Sequence, residues 1–416
     1  MSVYGGVDVK RAFIGESCNR IVKFSWARDF LTFGAQNSAT IFSPKVNGTR
    51  IISREEELEL ERQLKLINKP PVKSIQTEFG HIVDCIDINK QLAFDHPLLK
   101  DHKIQERPHF SKRITKNVVL SRNRPSKIGL QQDACPSGTV PIRRTTKADL
   151  IAIRSMSNNI YPQTTKVPNT HNAVIKMRTT ENHGYIGVKG NINVYNPVVK
   201  EGSSYARMYV MKGTDEKLNS ITTGWMVSPG TYKGTPYSYF FTYWTTDGAQ
   251  KTGCFNIRCP GFVQVDKRVY LGSAISNVSI PNGPQFEIGL SISKEKDGNW
   301  WITKDEINIG YFPAAIFNNL TEAETVGWGG LAVSLPNGIS PPMGSGIFPD
   351  DNYSHTSQFR AIQYRDSSGV LDGPHENTYD TIIDSPNCYL IDFHGYVGEF
   401  EGYTFGFGGP GGDCGI

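Results

Sequence analysis

Short runs of apolar residues that alternate with polar residues fill the chain after Lys166, and glycine or proline separates one run from the next. In residues 191–195, Ile192 and Val194 lie on one side of an extended chain, and residues 237–246 repeat that period of two in a dense aromatic run. Alternation of this kind predicts β-strands, and many short strands with turn residues between them favour an antiparallel sandwich. The 41 glycines and 24 prolines fit turn-rich β structure better than a helical bundle.

A smaller α+β domain is predicted before the sandwich. Ser53 and Glu56 form a capping box at the start of a helix that ends before Pro70, and an extended segment follows around Cys85. With 416 residues, two units plus tails are expected. We predict an atypical N-terminal segment over 1–46, the α+β domain over 47–145, a linker with a processing site over 146–165 and the sandwich over 166–416.

Charge and hydropathy argue against two classes of partner. The net charge of +4 is concentrated in residues 100–154, but this basic stretch has neither the interleaved aromatics nor a recognised module of a nucleic-acid-binding protein. No run approaches the roughly 18 apolar residues that span a bilayer, so no membrane span is predicted. Residues 1–42 also lack the layout of a signal peptide.

Cysteines and glycosylation sequons nevertheless favour a secreted, extracellular or vacuolar protein. The seven cysteines include no Cys-x-x-Cys pair, and the histidines match no ligand spacing, so neither a metal nor a cofactor is predicted. These histidines are His171, His183, His355, His375 and His394. Four Asn-x-Ser/Thr sequons lie at Asn47, Asn277, Asn319 and Asn352.

Several longer strings are more specific than composition. Asn-Ser-Ile-Thr-Thr-Gly-Trp-Met-Val at 219–227, Phe-Thr-Tyr-Trp-Thr-Thr-Asp-Gly at 241–248 and Thr-Gly-Cys-Phe-Asn-Ile-Arg-Cys-Pro-Gly-Phe at 252–262 follow one another closely, with Gly-Trp-Gly-Gly at 327–330 further on. In this order they resemble the catalytic domain of the plant neprosin family. Lys-Ser-Ile-Gln-Thr at 73–77, Asp-Cys-Ile-Asp-Ile at 84–88 and Ala-Phe-Asp-His-Pro-Leu-Leu at 93–99 resemble the activation propeptide of the same family.

The resemblance implies a zymogen whose β-sandwich cleaves beside proline at acid pH, with two glutamates as catalysts. A proline-containing peptide or protein is the implied substrate, and the propeptide is the implied intramolecular partner. The first glutamate position falls on Thr222, inside the string at 219–227, and the second falls on Leu331, directly after Gly-Trp-Gly-Gly. The resemblance and the positions of the cysteines together imply the disulfides Cys254–Cys259, Cys388–Cys414 and Cys85–Cys135, with Cys18 left over.

Neither residue at the two catalytic positions supplies the expected chemistry. A carboxylate must deprotonate the attacking water while a carboxylic acid stabilises the carbonyl oxygen, and threonine and leucine do neither. We therefore expect a catalytically impaired family member. One alternative is an active acid endopeptidase with another carboxyl pair, for which the candidates are Asp247, Glu287, Glu322 and Glu324. The other is a peptide-binding or carbohydrate-binding sandwich.

Four aromatic residues near the catalytic positions are candidates for contacts with a substrate: Trp225, Tyr243, Trp244 and Trp328. Flat aromatic faces suit proline rings and extended peptides. Packing inside the sandwich explains each of them equally well.

Overall fold

The computed structural model describes residues 53–108, 123–156, 169–179, 184–232, 235–350 and 352–415. All of them belong to one compact unit, residues 43–416. The architecture is mainly β, as predicted, with two large sheets and a small α+β region before them. No described helix is both long enough and apolar enough to cross a membrane.

The α+β region begins with helix α1 (Arg54–Ile67). The Ser53 hydroxyl accepts a hydrogen bond from the Glu56 amide at 3.1 Å, so the predicted cap is present. Strands β1 (Lys73–Gln76), β2 (Ile82–Asp87) and β5 (Thr139–Arg143) form a three-stranded antiparallel sheet. A second helix, α2 (Lys147–Met156), follows within the segment predicted to be a linker.

A seven-stranded antiparallel sheet forms the first layer of the sandwich. Its spatial order is β11 (Cys254–Phe255), β10 (Tyr239–Thr245), β9 (Asn219–Val227), β8 (Ser203–Lys212), β17 (Thr325–Val333), β6 (Thr170–Arg178) and β20 (Asp380–Ile383). Every residue of β9, β10 and β17 is buried. These central strands are therefore covered on both faces.

The second layer is a larger, mostly antiparallel sheet. Its main path runs through β12 (Val263–Gln264), β16 (Ile307–Phe312), β15 (Trp300–Lys304), β14 (Phe286–Lys294), β7 (Tyr185–Asn193), β18 (Ser357–Asp366), β22 (Tyr403–Gly408) and β21 (Leu390–Tyr396). Strand β19 (Leu371–Asp372) pairs with β18, and β3 (Arg124–Pro125) runs parallel to β14. Strands β4 (Lys127–Ile128) and β13 (Ile275–Ser276) form a separate pair.

The main core lies between these two layers. The Trp225 indole donates to the Asn193 carbonyl at 3.0 Å, and the Trp328 indole donates to the Lys189 carbonyl at the same distance. Both acceptors belong to β7 of the second sheet, so these tryptophans cross the core and join the layers. Because the indole N–H groups of Trp225 and Trp328 both have a partner, these two side chains are buried without the cost of an unpaired donor.

Three disulfides link the described cysteines: Cys85–Cys135, Cys254–Cys259 and Cys388–Cys414. These are the pairs implied by the resemblance and the positions. The first ties β2 to the loop before β5, and the last fastens the C-terminal end to the segment before β21. Closing these loops limits the freedom of the unfolded chain, most for the loops of 50 and 26 residues.

Two features of the sandwich are not evident in the local sequence. Residues Ala314–Ile316, after β16, form a short 3-10 turn. Strand β17 begins at Thr325 and contains three glycines. Its glycines weaken the strand signal in the sequence, but packing requires them, since a Cβ at Gly327 would collide with the Tyr209 ring.

Candidate functional site

The seven-stranded sheet has one face on the main core and a second face that carries both catalytic positions. We call this second face the site face. Its central residues come from the four neighbouring strands β9, β8, β17 and β6. They are Thr222, Gly224, Met226, Tyr205, Arg207, Tyr209, Gly327, Gly329, Leu331, Asn172 and Lys176.

Thr222 and Leu331 lie diagonally across the site face. Thr222 pairs with Tyr209 of β8, whereas Leu331 pairs with Tyr205 from the other side of the same strand. The two positions are thus two strands apart and four residues apart along the strand direction. With standard strand spacing and rise, a flat sheet would separate their Cα atoms by roughly 16 Å. Only long side chains from both positions could reach a common point.

Arg207 occupies the midpoint of that diagonal. It lies between Tyr205 and Tyr209 on β8, and its register partners are Gly224 and Gly329. Its guanidinium donates to Asn172 Oδ1 at 2.9 Å and lies 5.4 Å from the centre of the Tyr209 ring. Since Asn172 is the register partner of Leu331, the positive charge reaches the neighbourhood of the second catalytic position.

An amide relay connects Arg207 to an acid at the surface. Asn172 donates from its side chain to Asp384 Oδ2 at 2.8 Å, and its backbone amide donates to the same oxygen. Burial lowers the pKa of Arg207, while Tyr209, Tyr205 and the Asp384 carboxylate oppose that shift. Arginine remains charged throughout the physiological range, so the site face contains a permanent, buried cation.

The remaining ionisable groups on the site face reinforce its positive character. Lys176 and Arg178 of β6 face the same side, and Asp380 of β20 lies 4.0 Å from Lys176. Among the described residues of the seven strands, Asp380 is the one carboxylate on this face, and its side chain is mostly exposed at the sheet edge. The chemistry implied by the resemblance requires acidic side chains at this place, whereas most charged side chains on the described part of the site face are cationic.

The phenols of the site face are neutral hydrogen-bonding groups. Burial raises the pKa of both Tyr205 and Tyr209 to about 12. A phenol with such a pKa is not ionised at acid or neutral pH and does not act there as a general base. Tyr205 and Tyr209 can therefore contribute packing surface and hydrogen bonds.

The structure separates the four aromatic candidates. Tyr243 pairs with Thr222 and lies on the site face. Trp225, Trp244 and Trp328 lie on the opposite face: two of them bond to β7, and Trp244 packs against Phe312 and Phe317. They point away from the site face because successive strand residues point to opposite sides, and their contact with a substrate stays an untested prediction.

None of the four alternative acids lies on the site face. Glu287 belongs to the second sheet and pairs with Arg360 at 3.0 Å. Asp247 accepts from the Lys251 and Thr252 amides in the turn after β10. Glu322 and Glu324 accept from backbone amides at Gly184 and Gly213. Each acid has a local structural role, and the structure brings no two of them together near Thr222.

The sequence did not predict the contacts between the α+β region and the sandwich. His81 Nε2 lies 2.8 Å from the Tyr239 hydroxyl, and the Phe79 ring packs edge-on against Tyr237. These residues occupy the turn between β1 and β2, and Tyr239 belongs to β10. Local sequence contains no signal for a pairing across 158 residues.

A buried ionic cluster makes a further connection. Asp149 of α2 accepts two hydrogen bonds from Arg143 at 3.1 Å, and Arg258 of the sandwich lies 3.7 Å from the same oxygen. Both guanidinium groups stack near the Tyr232 ring, at 5.2 and 5.6 Å. Burial raises the pKa of Asp149, but the two arginines and Thr146 outweigh it, so its pKa lies below the usual value.

Acid is expected to weaken the contact made by His81. Burial and the nearby Arg143 lower the pKa of His81 from 6.5 to about 4, against a smaller opposing effect of Asp149. The folded state therefore binds fewer protons than the unfolded state, and the contribution of neutral His81 is lost as pH falls from 6.5 towards 4. Between pH 7 and 4, the free energy of unfolding of the native chain should fall by roughly 2 kcal/mol more than that of His81→Asn, after discounting for the partial exposure of His81.

Urea unfolding of the full chain at several pH values measures this difference. His375→Asn is the matched control, because His375 is half exposed and pairs locally with Asp372. Equal pH dependence of the native chain and His81→Asn would contradict the assignment to His81.

Three of the four predicted sequon asparagines, Asn277, Asn319 and Asn352, are exposed. Asn47 lies outside the described residues. Exposure leaves these positions accessible to modification, and their glycosylation stays a prediction.

Comparison with protein families gives two matches. Residues 200–410 match the family model described as Neprosin, and residues 74–188 match the model described as Neprosin activation peptide. The first match contains β9, β10 and β17 with both catalytic positions. The second contains the three-stranded sheet and extends through β6 into β7.

Several solved structures resemble the chain at low identity. Scytalido-glutamic peptidase with a peptide-based transition-state analog is 10% identical, over 57% of this chain and 97% of that one, with a TM-score of 0.31. SCP-B, a member of the Eqolisin family in complex with the tripeptide Ala-Ile-His, is 10% identical over 57% and 96%, with a TM-score of 0.30. A glycoside hydrolase family 16 endo-glucanase from Bacteroides ovatus is 9% identical over 41% and 70%, with a TM-score of 0.24.

Proposed function

The chain belongs to the neprosin family, with the peptidase domain and activation peptide of that family, and from this premise we propose that it binds proline-containing peptides without hydrolysing them. The activation peptide is its intramolecular partner. The proposal is carried by Thr222 and Leu331, which stand where the resemblance implies the two family glutamates, with Arg207 between them.

The chemistry of peptide hydrolysis supports loss of activity. Two close carboxyl groups share one proton at acid pH, so one of them acts as base and the other as acid. Thr222 and Leu331 contribute neither group, and the nearby phenols titrate at about 12. Removing members of a catalytic unit costs several powers of ten in rate.

A peptide-binding role is supported by the aromatic residues of the site face, which is covered in the full chain and meets a peptide only when that cover is displaced. Tyr243 pairs with Thr222 in the register, and Tyr205 packs at 5.4 Å against Phe241 of the same face. Tyrosines offer flat apolar surface for proline rings together with a hydroxyl for the peptide backbone. Binding can therefore outlast the loss of the catalysts.

The proposed location is secreted, extracellular or vacuolar. The three disulfides support an oxidising compartment. The exposed sequons support passage through the endoplasmic reticulum, where such sites are modified.

Incubation of the full chain with a proline-rich peptide at about pH 4, where a family dyad holds a single proton, tests the proposal. We expect mass spectrometry to find the peptide intact, and fluorescence anisotropy to show binding of its labelled form. Tyr243→Ala should weaken binding by about tenfold through lost aromatic packing. Tyr353→Ala is the matched control, because Tyr353 is exposed and packs on His394. Cleavage beside proline would contradict the proposal.

A further inference from the structure

The two family matches do not divide the chain where its sheets allow it to be divided. The match described as Neprosin activation peptide continues to residue 188, so it includes β6 and the first part of β7. Strand β6 lies between β17 and β20, and β7 lies between β14 and β18. Because both are interior strands, the part of the chain that can separate ends before β6. We call the described residues before β6, 53–108 and 123–156, the N-terminal fragment.

The hydrophobic side chains of the N-terminal fragment pack in clusters that they share with the sandwich. Leu60 of α1 and Leu150 of α2 belong to the main core, together with Trp225. Val83 of β2 is buried in another cluster with Tyr270 of the sandwich. An interface of this kind resembles a domain core that has been cut in half, which is typical of obligate partners.

Two short strands of the N-terminal fragment extend the β structure of the sandwich. Next to β3, the Ser126 amide donates to the Glu287 carbonyl of β14 at 2.8 Å. Strand β4 pairs with β13 and contributes Ile128 to the main core. The Leu130 amide then donates to the Arg268 carbonyl at 3.0 Å. Removal of these strands would leave backbone acceptors of the sandwich without their donors, which costs free energy wherever the acceptors are buried.

A glutamine of the N-terminal fragment covers the edge of the second sheet at β12. Gln91 Oε1 accepts from the Gln264 amide at 2.8 Å, and Gln91 Nε2 donates to the Gln264 carbonyl at 3.1 Å. Gln91 is 1% exposed and Gln264 is 0% exposed. On the neighbouring strand β16, the Tyr311 hydroxyl lies 2.8 Å from His102 Nε2. An uncovered sheet edge is a template for pairing with other chains, so this cover is part of the fold of the sandwich.

We propose that a cut in the connection between α2 and β6 leaves the N-terminal fragment bound, so that the processed protein consists of two chains. The association is non-covalent as far as the described disulfides go, since each of them lies wholly within one of the two parts. Phe79 and His81 stay in contact with Tyr237 and Tyr239 at the β10 side of the site face. A cut alone therefore leaves this side covered. The inference concerns the processed state and does not rest on peptide binding.

A recognition site for a sequence-specific protease, flanked by Gly-Ser residues and inserted between α2 and β6 of the full chain, tests the proposal. After cutting at pH 7, above the ordinary pKa of histidine, we expect both pieces to elute together in size-exclusion chromatography and to separate on a reducing SDS gel. Dilution of the cut protein should give a dissociation constant below about 100 nM. Elution of the pieces as separate species at about 10 µM would overturn the proposal.

The variant Gln91→Ala links retention of the fragment to the β12 edge. It leaves the buried amide and carbonyl of Gln264 without this partner, so the dissociation constant should rise about 10- to 100-fold. Gln131→Ala is the matched control, because the Gln131 side chain is exposed and donates within its own fragment. If Gln91→Ala does not fold before cutting, His102→Ala replaces it, with an expected rise of about tenfold. An unchanged constant in the variant used would contradict the role of this edge.

Hydrogen exchange of the uncut chain decides the question without a protease. The amides of Ser126, Leu130 and Cys135 donate to carbonyls of the sandwich. If the fragment is an integral part of the fold, these amides open only together with the sandwich, and they should exchange within about tenfold of the rates in β9. A larger difference would show that the fragment opens by itself, and would overturn the proposal even if the inserted site resists the protease.

Discussion

Restoring both glutamates is expected to leave the chain inactive unless Arg207 is also replaced. In the double variant Thr222→Glu, Leu331→Glu, the new carboxylates would flank the guanidinium, which already hydrogen-bonds to the register partner of Leu331. A guanidinium within about 4 to 6 Å lowers a carboxyl pKa by 1 to 3 units. Both introduced glutamates would stay ionised at acid pH. Neither would remain as the carboxylic acid that stabilises the carbonyl oxygen.

The triple variant with Arg207→Gln removes that obstacle. We expect it to cleave a proline-containing peptide at least about 1,000-fold faster than the double variant at pH 4, because a complete acid and base pair is worth several powers of ten. Initial rates measured with a fluorogenic peptide between pH 3 and 6 compare the two. A bell-shaped profile in the triple variant would report the restored pair.

The matched control has glutamine at positions 222, 207 and 331. It has nearly the same shape and lacks every acid, so it should be inactive. Equal rates in the double and triple variants would show that Arg207 does not block catalysis. An inactive triple variant with native-like stability would show that the two register positions do not suffice for a catalytic pair.

Replacing Asp149 by asparagine is expected to destabilise the full chain by about 3 to 5 kcal/mol, because two buried arginines lose their shared carboxylate. The side chains of Arg143, Arg258 and Asp149 are 11%, 8% and 4% exposed. Asparagine still accepts the hydrogen bonds of the Thr146 amide and hydroxyl at the start of α2. The substitution therefore keeps the cap of α2 but removes both the charge and the oxygen that accepts from Arg143.

Urea unfolding at pH 7 measures this loss. Asp133→Asn is the matched control, since the Asp133 pair with Lys73 is 3.4 Å long and largely exposed, and such a pair contributes about 0 to 1 kcal/mol. A similar small effect of both substitutions would show that the cluster of Asp149, Arg143 and Arg258 does not stabilise the fold.

The sequence was sufficient for the architecture, whereas the assignment of the two catalytic positions to Thr222 and Leu331 stays a prediction. Alternation predicted the sandwich, the capping box at Ser53 predicted α1, and the period of two placed Thr222 and Tyr243 on one side of their strands. Alternation does not reveal which side faces the main core when both sides of a strand are buried, as in β9 and β10. For that reason Trp225 and Trp244 were indistinguishable from Tyr243 as candidates.

The charged features of the site depend on contacts that span long stretches of chain. Arg207 and Asn172 are 35 residues apart, and Asn172 and Asp384 are 212 residues apart. Asp149 falls in the segment 146–165 that was predicted to be a linker, yet its partner Arg258 comes from the sandwich. Such pairs follow from the topology of the sheets, which the local pattern of residues does not encode.

The fold of β5 restricts how the precursor can be processed. The adjacent Arg143 and Arg144 form the kind of dibasic sequence that trypsin-like proteases cut. However, Arg143 is a strand residue that donates to Asp149, and the guanidinium of Arg144 donates to Asp84 from two of its nitrogens. A protease needs an extended, unpaired chain in its cleft and a free basic side chain in its specificity pocket. In the folded chain, this dipeptide offers neither an unpaired backbone nor a free basic side chain. Maturation by such an enzyme therefore requires cleavage at a different peptide bond, or cleavage before β5 joins its sheet.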